Sequence, residues 1–169
     1  MAVASGVTGG QIYTSTDSGV SWTPRDGARF WRSVASSADG TRLVAGTSGQ
    51  IYTSTDSGES WTPREIARNW RSVASSADGA RLVAVVDGGQ IYTSTDSGVS
   101  WTPRETARSW QSVASSADGA KLVAGVSGGQ IYTWAGTTLS GGQSSTIELV
   151  YGGAGQWVAV SQQGSITLR

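Results

Sequence analysis

The sequence contains no cysteine and no histidine. Those absences remove thiolate nucleophiles, imidazole bases and the usual transition-metal ligands, so most enzyme mechanisms lose their customary groups. Neither a metal nor a cofactor is expected. Charge is scarce as well: 14% of the 169 residues are charged, 12 basic against 12 acidic. That balance leaves no broad electrostatic footprint for nucleic acid or an anionic membrane, and neither is expected as a partner. No apolar run approaches the roughly 18 residues of a membrane span. The opening Met1-Ala2-Val3-Ala4-Ser5-Gly6 has no basic segment leading into an apolar one, so the chain reads as soluble, with no targeting signal. Zero cysteine leaves the compartment open.

What the chain has in abundance is repetition. The tripeptide Gln-Ile-Tyr recurs at Gln11, Gln50, Gln90 and Gln130, with spacings of 39, 40 and 40 residues. Periods of this length belong to solenoids and propellers. Residues 50–89 and 90–129 are identical at 33 of 40 positions. Copies so close do not hold different jobs. The chain therefore reads as one domain, 1–169, built of repeats 11–49, 50–89 and 90–129 with degenerate closing blades over 130–169.

Within a repeat, short stretches of β-branched, aromatic and small residues alternate with turn residues, and no apolar spacing of three and four lasts long enough for a helix. The fold class is all-β. In one repeat the pattern predicts strands over 70–75, 81–85, 90–94 and 100–103, joined by turns at Ala77-Asp78-Gly79, Asp87-Gly88-Gly89 and Asp96-Ser97-Gly98. Four antiparallel strands make one propeller blade. Proline occurs only at Pro24, Pro63 and Pro103, always in the fourth strand. Because proline cannot donate to a ladder, that strand is expected at the outer edge, and the small Ser-Val-Ala-Ser strand at the inner wall.

Each repeat also spells Ser-x-Asp-x-Gly-x-x-Trp, at Ser15-Asp17-Gly19-Trp22, Ser54-Asp56-Gly58-Trp61 and Ser94-Asp96-Gly98-Trp101. In this motif the chain resembles the Asp-box, or BNR-repeat, β-propellers, a group that includes sialidases and many non-enzymatic proteins. The resemblance implies that the box is the turn between third and fourth strands. There the aspartate would cap backbone N–H groups, the glycine would take a conformation closed to other residues, and the tryptophan would pack beneath. On this reading the box residues are structural.

The ends are irregular. Residues 3–11 align with 122–130, so the chain starts at a second strand. The box is lost after Tyr132, and stretches near 147–151, 156–160 and 165–168 match the first three strands of one more blade. The count is about 4.5 blade equivalents. Five blades in one ring are favoured, and a homo-oligomer sharing strands or blades to close a ring is the alternative. An engineered or truncated origin would also account for the start at a second strand.

Candidate chemistry lies on the connections from the fourth strand to the next first strand. These read Arg25 to Trp31, Arg64 to Trp70 and Arg104 to Trp110, and they vary most at Phe30, Asn69 and Ser109. Arg29 with Trp31, Arg68 with Asn69 and Trp70, and Arg108 with Trp110 are the tentative ligand-binding residues. An aromatic face beside a guanidinium suits a sugar. The structural alternative is favoured: the tryptophans fill the wedge between blades while the arginines pair with Asp26, Glu65 and Glu105.

Catalytic residues are not expected. Arg25, Arg64 and Arg104 recur in one context, Thr-Pro-Arg, unlike the arginine triad of sialidases, and Glu59 and Glu148 have no visible partner. The Gly-Gly-Gln stretches precede no helix, so they are hairpin glycines and not a phosphate cradle. The resulting expectation is a non-enzymatic binding or scaffold module with a glycan or protein ligand on the loop face. A lectin-like propeller ranks second and a sialidase-like glycoside hydrolase third.

Overall fold

The computed structural model describes residues 2–3, 9–135, 146–151 and 157–163. Among these, every regular element is a strand and every ladder is antiparallel. The first sheet joins β1 (Ala2–Val3), β2 (Ile12–Thr14) and β3 (Thr23–Pro24) in that order. A four-stranded blade follows: β4 (Trp31–Ser36), β5 (Leu43–Thr47), β6 (Ile51–Ser54) and β7 (Thr62–Pro63). Pro24 and Pro63 lie in the outermost strands of these sheets. Those strands are only two residues long, as expected where an N–H is missing.

The next two repeats form one five-stranded ladder of β8 (Trp70–Ser75), β9 (Leu82–Ser94), β10 (Thr102–Ser115), β11 (Lys121–Val126) and β12 (Ile131–Ala135). Here the structure departs from the expected separate strands, because β9 runs through the 87–89 turn and β10 through the 104–109 connection. The turn carries two glycines, Gly88 at φ 71° and Gly89, where the preceding repeat has only Gly49; the same pair at Gly9 and Gly10 makes only an isolated bridge to Arg29. The longer turn pairs with the connection at Arg108↔Gly89 and Ser109↔Asp87, so the ladder continues across both. A hairpin of β13 (Thr146–Tyr151) and β14 (Trp157–Gln163) follows, which matches the first two strands of a last blade. The expected fourth strand at 138–140 and third strand at 165–168 lie outside the described residues.

Successive blades pack face to face, and their cores are shared. Along β5 and β6 every residue is buried, because alternate side chains serve opposite neighbours. Ala45 and Tyr52 join Ile12 of the first sheet and Trp31, whereas Val44 and Ile51 join Trp70, Leu82, Tyr92 and Trp101 of the following blade. The same alternation places Val83, Val85 and Ile91 against Trp110, Ala124 and Tyr132. Trp31, Trp70 and Trp110 are 0% exposed and are the largest side chains in these junctions. They fill the wedge between blades. Serine hydroxyls complete the inner seam, since Val73 N donates to Ser33 Oγ at 3.1 Å and Val113 N to Ser72 Oγ at 3.2 Å.

The shared core fixes what substitutions should do. Trp70→Ala should cost about 3–5 kcal/mol of unfolding free energy in urea titrations, the range for truncating a large buried aromatic. Phe30→Ala, at an exposed side chain, should stay within about 0.5 kcal/mol.

Candidate functional site

The box turns are built from their own side chains. In the second copy Ser54 Oγ donates to Asp56 Oδ1 at 2.7 Å and accepts from Gly58 N at 2.9 Å, while Ser60 N donates to Asp56 Oδ1 at 2.9 Å. Trp61 Nε1 closes the turn on the Gly58 carbonyl at 3.1 Å. The first and third copies repeat this network. The serine after each aspartate sits at φ 58–59° and the glycine at 83–91°, two successive left-handed residues. These bonds favour the carboxylate, so Asp56 and Asp96 are lowered to about 2, chiefly by the hydroxyls of Ser60 and Ser100, and Asp17 is lowered below that by Ser21. The boxes are saturated turns with little left to offer a ligand.

The opposite loops are assembled differently. Each connection bonds back to the hairpin turn of the blade it leaves: Gly10 and Arg29 exchange two bonds of 2.9 Å, and Arg68 N reaches Gly49 O at 2.7 Å. Each then docks on the blade it enters, where Ser48 N donates to Phe30 O, Asp87 N to Asn69 O and Ser127 N to Ser109 O at 2.9–3.2 Å. The variable residue of every repeat is thus pinned between two turns, with its side chain exposed.

Beside it stands a layered stack. Arg29 lies over the Tyr52 ring with its guanidinium carbon 4.5 Å from the centroid, and Arg68 over Tyr92 and Arg108 over Tyr132 follow at 4.6 and 4.9 Å. Each tyrosine meets its blade's buried tryptophan edge-on at 5.1–5.4 Å. The candidate arginines and tryptophans are therefore brought together, but with tyrosine between them, and the indoles of Trp31, Trp70 and Trp110 do not reach solvent. Nε1 of Trp31, Trp70 and Trp110 has no acceptor. Packing sets the position of these rings, not hydrogen bonding.

The three arginines differ in their partners. Arg29 pairs with Asp26 at 2.9 Å, which raises the guanidinium's affinity for its proton, and donates to Tyr52 Oη. Arg68 approaches Glu65 at 3.7 Å. The expected pair between Arg108 and Glu105 does not form: Glu105 sits at φ 54°, the ladder shifts register between Arg104 and Arg108, and Arg108 is exposed. Arg25, Arg64 and Arg104 are tied to Thr14, Thr53 and Thr93 of their own blades.

An open cleft of about 440 Å³ lies on this face, lined by Arg29, Phe30, Ser48, Gly49, Gln50 and Tyr52 among others. Sequence reasoning missed the tyrosines, which read simply as strand residues, and a second group of polar side chains. In all three inner strands the register shifts between the tryptophan and the residue two further on, so Arg32, Arg71 and Gln111 are bulged residues whose side chains are re-aimed. Arg32 Nε donates to Ser48 Oγ and Arg71 Nε to Gln111 Oε1, both at 2.9 Å. The mismatch at 71 and 111 between otherwise near-identical repeats was the available signal. Among the described residues no cluster of three or more acidic side chains could hold a metal ion.

The fold is a β-propeller. Solved structures similar to it include YCF48 from Cyanidioschyzon merolae, at TM-score 0.57 and 20% identity over 66% of this chain and 36% of that one. YCF48 bound to D1 peptide matches at 0.60 and 22%, over 78% and 46%. The GH74 enzyme of Niastella koreensis matches at 0.54 and 24%, over 76% and 20%. The chain spans less than half the length of each. No protein-family model matches the sequence, and no curated protein sequence matches it either.

The lowered aspartates give a pH prediction. A carboxyl depressed in the folded state contributes stability above its ordinary value of 3.8, and that contribution is lost as pH falls toward 2. Carbon-detected NMR titration should place Asp56 and Asp96 near 2, and Asp56→Asn should flatten the fall in melting temperature between pH 4 and 2. Midpoints near 3.8 would contradict the box geometry.

Proposed function

We propose that the chain is a non-catalytic binding module whose loop face takes an extended polypeptide carrying acidic and apolar side chains. The observation that carries this reading is the repeated arginine-on-tyrosine stack, a constant platform beside a variable tip of Phe30, Asn69 or Ser109. A sugar would stack on an open aromatic face repeated from blade to blade, yet Trp31, Trp70 and Trp110 are buried, guanidinium groups cover Tyr52, Tyr92 and Tyr132, and Phe30 is an exposed ring in one repeat alone. What remains for a ligand is guanidinium N–H groups, glutamine side chains and the exposed rings and aliphatics at Phe30 and Ile66. This mixture fits carboxylates and apolar side chains of a peptide better than hydroxyls. A propeller of this fold bound to a peptide exists in YCF48 with D1 peptide, which supports the reading by precedent only.

The test is a direct comparison of an array of extended peptides with a glycan array, with a sialoside hydrolysis reporter run in parallel. Binding should be confined to peptides with at least one carboxylate, and Arg68→Ala with Arg108→Ala should weaken it by about tenfold, roughly 1.4 kcal/mol. Binding to glycans alone would favour the lectin reading. Turnover of the sialoside would overturn the non-catalytic one.

A further inference from the structure

Of the three connections on the loop face, the first builds a cleft whose composition the other two do not repeat. Phe30, 49% exposed, lines the cleft of about 440 Å³, and its carbonyl accepts from Ser48 N at 3.2 Å, so its backbone is held against the turn that also lines it. Ala67, next to the exposed Ile66, adds apolar surface. The volume lies within the roughly 300–1,000 Å³ of small-ligand pockets. A free donor faces it too. Gln90 Nε2 donates to the Glu105 carbonyl at 2.8 Å, whereas the amide of its counterpart Gln50, a cleft residue, donates to nothing among the described residues.

Charge beside the cleft is uncompensated at Arg32. Arg29 is matched by Asp26 and Arg68 by Glu65, but Arg32 meets no carboxylate among the described residues. It is exposed, and its Nε is bonded to Ser48 Oγ at 2.9 Å. Its two terminal nitrogens are left to take a carboxylate. The other junctions break this combination. At the second, Asn69 replaces the ring and Asp87 stands where Ser48 does; at the third, Ser109 replaces the ring and Gln111 the arginine.

We infer that this cleft is the selective subsite of the loop face, seating an aromatic side chain of the bound polypeptide against Phe30 while Arg32 holds a carboxylate two residues away. In an extended peptide, positions two apart share a face, and a pair of rings gains from offset or edge-on contact beyond the area it buries. The assignment rests on the peptide reading of the loop face and narrows it to one junction and one motif.

Fluorescence anisotropy of the labelled peptide Gly-Glu-Ser-Phe-Ser-Glu-Gly on the full chain tests this. It should bind about tenfold more tightly than the same peptide with alanine for phenylalanine. It should exceed Gly-Ser-Glu-Phe-Glu-Ser-Gly, whose carboxylates point away from the ring, by a similar factor. Phe30→Ala should erase the preference for phenylalanine, and Arg32→Gln should weaken the first peptide about tenfold. Arg68→Ala with Arg108→Ala should instead weaken all three peptides alike. Equal binding of the three peptides, a preference that survives Phe30→Ala, or binding indifferent to Arg32→Gln would overturn the subsite and leave the peptide reading standing. Failure of every acidic peptide to bind would overturn both.

Discussion

Everything in this structure hangs on one contact repeated at each blade junction: a fully buried tryptophan at the start of the inner strand, held edge-on by a tyrosine and roofed by an isoleucine from the blade before. A single four-stranded blade has two apolar faces and cannot hide either alone. Val44 and Ala45, adjacent in β5, point into different junctions, so neither junction can be built without committing the other face. Stability in such an array is a sum over neighbours, and the end blades are its weakest members.

The division of labour between the two faces follows from the same contact. Once tryptophan and tyrosine are locked by packing, the arginine above the tyrosine is carried to the surface in a fixed place, and the residue between arginine and tryptophan is pinned by backbone bonds from two turns. Its side chain is therefore free to change without touching the core. Phe30, Asn69 and Ser109 show that freedom in sequences that otherwise barely differ. The box side has no such freedom, since the oxygens of Ser54, Asp56 and Ser60 and of their counterparts in the other copies are already engaged within their own turns.

Much of this was legible in the sequence, and the reasons are specific. The 39–40-residue period gave the blade unit, and Pro24 and Pro63 marked edge strands because a missing N–H has only one comfortable place in a sheet, whereas Pro103 lies in β10, the middle strand of the five-stranded ladder. The box turns were legible because Asp and Gly at fixed offsets are local chemistry. Less accessible was anything set by partners distant in sequence. The merging of strands into β9 and β10 rests on the pairing of a turn with a connection some twenty residues away, Arg108 with Gly89 and Ser109 with Asp87. Tyr52, Tyr92 and Tyr132 read as strand residues until the arginine of the connection was seen above them. The register shifts that re-aim Arg32, Arg71 and Gln111 have no local signature in Trp-x-Ser-Val-Ala-Ser.

The claim that blades are held by this cross-junction stack, and not by the turns within each blade, is tested most directly by a double-mutant cycle between Ile51 and Trp70, which belong to neighbouring blades. Urea unfolding of Ile51→Ala, Trp70→Phe and the double variant should show a coupling of at least about 0.5 kcal/mol. Strict additivity, within about 0.3 kcal/mol, would contradict it.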